Sequence, residues 1–103
     1  MKIMQRGIMK VAPGKMAEAM ALSEKLMALS SRYGMSTTGA RTYRPFTGGG
    51  DAMHTVVFEI EWDSLTAMAT FFEKVMADPE VQAQMPKWEA LEESHQVELY
   101  AVM

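Results

Sequence analysis

The sequence predicts an α+β fold of order β-α-β-β-α-β, a four-stranded antiparallel sheet with two helices on one face. Three observations predict it. In HTVVFEIEW (residues 54–62), Val56, Phe58, Ile60 and Trp62 alternate with Thr55, Val57, Glu59 and Glu61, the period of a strand with one apolar face. From Leu65 the period changes: Leu65, Met68, Phe72 and Val75 fall at helical spacing, with Phe71 on the shoulder. The rest of the chain reads as a second copy of this strand-and-helix unit, joined to the first by a hairpin.

Residues 2–11 read as the first strand. Ile3, Gly7, Met9 and Val11 share one face, and Met4, Arg6, Ile8 and Lys10 share the other. Apolar residues on both faces suit a central strand. Ala12-Pro13-Gly14 stops it, and Pro13 suits a helix start. The first helix spans 15–32, with Met16, Ala19, Leu22, Leu26, Leu29 and Tyr33 as its buried stripe, widened by Met20 and Met27. Gly34 is placed for a left-handed residue after its end. Residues 36–46 form the second strand, more polar than the third. Pro45 cannot donate to a ladder and marks this strand as an edge.

Thr47-Gly48-Gly49-Gly50-Asp51 is a hairpin connection, without the following helix and Lys of a phosphate loop. Asp63 or Ser64 caps the second helix. Asp78-Pro79 opens a further short helix that Pro86 breaks, with another turn or two near Trp88 and Leu91. Residues 95–103 form the fourth strand. The first and third strands are expected in the centre and the second and fourth at the edges. The sheet face away from the helices has no cover from its own chain. It carries Val57, Glu59 and Glu61, with Tyr100 and Val102, and such a half-apolar face reads as an interface.

Composition narrows the function. The 103 residues are the length of one domain, and 49% hydrophobic with 22% charged residues is a globular balance. A net charge of -3 with scattered basic residues gives no general attraction to nucleic acid or anionic membranes. No apolar run approaches the roughly 20 residues that span a bilayer. MKIMQRGIMKV is interrupted by Gln5, Arg6 and Lys10 and lacks the continuous apolar centre of a signal peptide, so a cytoplasmic location is the default expectation. The absence of cysteine excludes disulfides, thiolate nucleophiles and Cys-ligated metals. Two histidines and dispersed carboxylates show no metal spacing, and neither His sits where a haem ligand is needed. No cofactor is therefore expected. Twelve methionines stand out. They read either as adaptable packing for a thin core or as the plastic wall of an apolar pocket.

A first strand followed by Val11-Ala12-Pro13-Gly14-Lys15 and a helix, a polar hairpin, the corner Glu61-Trp62-Asp63-Ser64-Leu65, Asp78-Pro79-Glu80-Val81, a Trp, and a final Val97-Glu98-Leu99-Tyr100 strand resemble the dimeric α/β-barrel proteins of ferredoxin-like fold. Within that group the pattern is most similar to NIPSNAP-like proteins, with antibiotic-biosynthesis monooxygenase-like domains as neighbours, and it covers nearly the whole chain. The resemblance implies a homodimer in which two open sheet faces stack into a barrel. It also implies a ligand cavity between sheet and helices or within the barrel. Members include cofactor-free oxygenases, isomerases and haem-degrading enzymes, so fold does not fix function here.

Polar residues on strand faces are the ligand-binding candidates: Arg41 and Tyr43 on the second strand, Glu59 on the third, Tyr100 on the fourth, and His54 at the start of the third. An Arg can orient an anionic or carbonyl group, and a carboxylate or His can move a proton. The plainer reading of Arg41 with Glu59 or Glu61 is a cross-strand ion pair. Two functions follow. One is a small cofactor-independent enzyme, monooxygenase- or isomerase-like, acting on a small apolar or aromatic compound. The other is a non-catalytic binding or assembly module whose interior is filled and whose carboxylates are paired.

Overall fold

The computed structural model describes residues 1–35 and 39–103. The elements run β1 (Ile3–Val11), α1 (Met16–Ser31), β2 (Ala40–Tyr43), a 3-10 turn (Ala52–His54), β3 (Thr55–Trp62), α2 (Leu65–Met76), α3 (Pro79–Leu91) and β4 (Glu92–Ala101). The sheet order is β2-β3-β1-β4, with every neighbouring pair antiparallel. The expected α+β, ferredoxin-like arrangement is the one observed, with β1 and β3 central. The first part of the predicted second strand, residues 36–38, lies outside the described residues.

The ladders settle which side chains share a face. Ile3, Gln5, Gly7 and Met9 stand opposite Trp62, Ile60, Phe58 and Val56. These line the helix side, because Ile3, Met9, Val56 and Trp62 are buried there with residues of the helices. One cluster gathers Ile3, Trp62, Leu29, Phe71, Val75 and Val81, and the other gathers Met9, Val11, Val56, Ala19, Leu22 and Leu91. The Trp62 indole N–H would be costly to bury unpaired, and it donates to Gln5 Oε1 at 3.0 Å.

Local chemistry fixes the helix ends. Ser64 is the cap of α2, its hydroxyl accepting from the Ala67 N–H at 3.0 Å. Asp78 caps α3 by accepting from the Glu80 N–H at 2.7 Å, and Pro79 occupies the first turn, where its missing N–H costs nothing. Asp78 also accepts from the Tyr33 hydroxyl, which ties the end of α1 to the start of α3. That bond, helped by the backbone N–H groups at the helix start, holds the Asp78 carboxyl below its ordinary range. Gly34 adopts φ 90°, the left-handed residue expected after α1.

Several expectations change. Pro86 does not break the helix: α3 runs unbroken from Pro79 to Leu91. Burial of Val81, Gln84 and Leu91 along one side outweighs the lost backbone bond. Leu65 is exposed, while Phe71 is the buried ring of α2 and Phe72 is half-buried, so the stripe is rotated from the predicted one. β4 starts earlier than expected, directly from α3 at Glu92. His54 sits in the 3-10 turn and not in β3.

Candidate functional site

The two faces of the sheet carry different chemistry. On the open face, the ladders place Arg41, Glu59, Arg6 and Glu98 in one row across all four strands. The row alternates cation and carboxylate. Arg6 donates to Glu59 Oε1 through Nη2 at 2.8 Å and Nε at 3.1 Å. Glu98 accepts from the Tyr100 hydroxyl at 2.8 Å, which pushes the phenol above its ordinary value, and the Arg6 guanidinium lies 5.3 Å from the Tyr100 ring centre. Lys2 pairs with Glu61 at 3.4 Å, and Lys10 reaches Asp51 at 3.2 Å. Tyr43, Val57 and Ile8 make an adjacent row with a more apolar character.

Four of the five predicted candidates, Arg41, Tyr43, Glu59 and Tyr100, therefore share the open face. His54 lies outside the ladder. The cross-strand pair expected for Glu59 exists, but its cation is Arg6 and not Arg41. Arg6 had only its alternation to mark it, because every second β1 residue falls on that face.

The other face carries a cleft of about 210 Å³ between the sheet and the helices. Phe58, Ile60 and Thr42 line it from the sheet. Met27 from α1, Phe72 from α2, and Met85 and Trp88 from α3 close it. The hydroxyls of Ser23 and Ser30 are among its few polar groups. Arg41 and Glu59 border the cleft, but strand alternation sends their side chains toward the open face, so backbone is what they contribute. The gap lies where the two buried clusters meet. Half-buried Leu26 packs against both. Four methionines, Met27, Met35, Met76 and Met85, line it. The predicted Met- and aromatic-lined cavity and the predicted polar contacts are thus on opposite faces of the sheet.

The cleft can do two things chemically. It removes water from an apolar guest, and its aromatic and thioether walls accept a flat ring. For scale, an apolar cavity of about 150 Å³ holds benzene, so the space here suits one substituted ring. Among the described residues, no group of three or more His, Asp and Glu is placed to hold a metal. No described helix is long and apolar enough to cross a membrane.

Similar folds occur among solved structures. A NIPSNAP family protein from Agrobacterium tumefaciens superposes with a TM-score of 0.83 at 21% identity, covering 99% of this chain and 86% of that one. An uncharacterized NIPSNAP domain protein from Burkholderia xenovorans gives 0.78 at 20% identity, covering 100% and 95%. A mutant of SnoaB, a cofactor-independent oxygenase from Streptomyces nogalater, gives 0.72 at 16% identity, covering 98% and 92%. No family model matches the sequence, and no curated protein matches it. The chain thus shares the ferredoxin-like fold of NIPSNAP and antibiotic biosynthesis monooxygenase proteins.

Proposed function

We propose that this chain, folded as NIPSNAP and antibiotic biosynthesis monooxygenase proteins are, binds a small, largely apolar aromatic compound in the sheet–helix cleft. The cleft itself carries the proposal: about 210 Å³, walled by methionine and aromatic side chains with few polar groups. The cofactor-independent oxygenase of the same fold supports an enzymatic form of this reading, monooxygenase- or isomerase-like. The working unit is a homodimer joined through the open sheet face. The exposed Tyr43, Tyr100 and Val102 on that face support a buried surface in the assembly. Arg41, Tyr43, Glu59 and Tyr100 then lie between the two sheets, as polar contacts for what is held there.

A purely assembling module is the second reading. One observation favours it: Glu59 and Glu61 are already paired, with Arg6 and Lys2. The two readings separate in an NMR titration of methyl-labelled methionine with 4-nitroanisole, a neutral single-ring probe. Binding in the cleft shifts the methyls of Met27, Met35, Met76 and Met85 and leaves the exposed Met1, Met53 and Met103 in place. Shifts scattered over the exposed methyls, or none, refute the cleft reading. Sedimentation of the same sample tests the homodimer, which a monomer at high concentration refutes.

A further inference from the structure

The charged row on the open sheet face has a symmetry of its own. From β2 to β4 it runs Arg41, Glu59, Arg6, Glu98, so its signs are plus, minus, plus, minus. From β4 to β2 the sign at every position is reversed. A row of this kind is complementary to its own reversed copy. The even number of strands makes this possible, because an alternating row of odd length has the same signs from either end. The row is open to solvent: Arg41 is exposed, and Arg6, Glu59 and Glu98 are half-buried.

Two sheets stacked face to face lie about 10 Å apart, a gap that an Arg from one side and a Glu from the other can close. A two-fold axis between them, parallel to the strands, keeps each residue at its level and reverses the strand order. β2 then faces β4 of the other copy, and β3 faces β1. Arg41 comes over the partner's Glu98, and Arg6 over the partner's Glu59. The next row agrees: Ile8 meets the partner's Val57, and Tyr43 meets the partner's Gln96. On the other side Met4 meets the partner's Glu61, and each Glu61 is paired within its own chain by Lys2 at 3.4 Å. An axis across the strands keeps the strand order and fits worse. Centred on the row, it sets Arg41 on Arg41 and Glu59 on Glu59. Displaced one way it sets the charges on Val57 and Ile8, and displaced the other way it sets Glu59 on Glu61. Like charges face to face repel, and a charge pressed against apolar side chains loses its water without gaining a partner.

We infer that the row Arg41, Glu59, Arg6, Glu98 is the surface by which the chain recognises a second copy of itself, with the two-fold axis parallel to the strands. This rests on the homodimer reading above and adds to it an orientation and the residues that select the partner. The centre of the interface is a four-charge cluster, Arg6 and Glu59 from each copy. Both bonds that Arg6 makes within its own chain fall on Oε1 of Glu59, and a guanidinium carries further N–H donors for a second carboxylate. The flanks are two Arg41–Glu98 contacts. These form only between chains, because within one chain the two residues stand on opposite edge strands. Burying ions is costly, and closing them into an alternating network offsets the lost water. A chain of the same fold without this order of charges would meet like on like and be rejected.

Charge reversal in the full-length chain tests it. Arg41→Glu alone and Glu98→Arg alone each put two like-charge contacts into the homodimer and should weaken it at least about a hundredfold. An equimolar mixture of the two should dimerise as the native protein does. In that heterodimer one flank joins the two substituted positions, again opposite in charge, and the other is the native Arg41–Glu98 contact. Sedimentation equilibrium gives the dissociation constants, native mass spectrometry identifies the heterodimer by its mass, and circular dichroism checks that each variant is folded. Arg41→Gln and Glu98→Gln repeat the test without reversing a charge. Each should weaken the dimer, and the double Gln variant should be no weaker than the weaker single one, whereas additive losses would overturn the pairing. Reversal variants that dimerise at native strength would overturn it, and so would a mixture of folded variants no tighter than its components, in both cases with the homodimer standing. A native chain that stays monomeric at high concentration would fell the homodimer reading, and the inference with it.

Discussion

Replacing Phe71 with alanine removes the ring that joins α2 to the sheet. Phe71 is 6% exposed, with its ring centre 4.8 Å from that of Trp62 and 5.2 Å from that of Phe72. Truncating a buried Phe to Ala costs about 3–5 kcal/mol, and aromatic pairs add about 0.5–1.5 kcal/mol beyond area alone. Phe71 also borders the cleft, so the new space opens into existing space and neighbours can relax toward it. That places the expected loss near about 3 kcal/mol, the lower end of the range. A domain of this size holds about 5–15 kcal/mol in total, so the variant folds with a thin margin. With a urea slope of about 1.5 kcal/mol per M, the midpoint should fall by about 2 M. Equilibrium urea unfolding followed by Trp fluorescence measures it. Phe46→Ala is the control: that ring is fully exposed, and its loss should stay within about 0.5 kcal/mol. A Phe71→Ala loss below about 1 kcal/mol would refute the packing argument, because it would equal a typical substitution anywhere.

Two further predictions concern the helix starts. Ser64→Ala removes the hydroxyl that accepts from the Ala67 N–H and should lower stability by about 1 kcal/mol, with Ser64→Asp close to native; equal losses in both would argue against capping. Tyr33→Phe removes the chief cause of the low Asp78 value. A depressed carboxyl stabilises the fold above its unfolded value, and the contribution fades as pH falls through the folded value. Tyr33→Phe should therefore be less stable than the native protein at neutral pH, with the gap closing below about 3.8 in a urea series across pH. A gap independent of pH would mean that the hydroxyl acts by packing alone.

The central strands were the most legible part of the fold, because alternation in β3 and the apolar character of both faces of β1 report burial directly. The stripe of α2 was read with the wrong phase. Two adjacent rings, Phe71 and Phe72, fit either phase, and only the position of Trp62 decides which turns inward. Pro86 misled for a different reason: propensity is local, whereas α3 is held by the burial of Val81 and Leu91 in two separate clusters. The candidate residues on strands were found as polar side chains at strand positions, but their grouping depended on ladder register. One slip in β2 would have reversed Arg41 and Tyr43. The Arg6 partner of Glu59 is 53 residues away in sequence, a distance no spacing rule spans. The cleft has the same character, with walls from α1, β3, α2 and α3 meeting only in the fold.

The chain has no cysteine, so all of its sulfur is thioether. Four of those methionines, Met27, Met35, Met76 and Met85, line the sheet–helix cleft. A thioether becomes a sulfoxide by gaining one oxygen, and the flexible apolar side chain becomes polar and chiral. An oxidant that reached the cleft would meet these side chains on its walls. Each added oxygen would make the walls less hospitable to an apolar guest, so the apolar character of the cleft would be counted down in oxygen atoms added to its own lining. Reductive repair of sulfoxide would reset that count without any change in the fold.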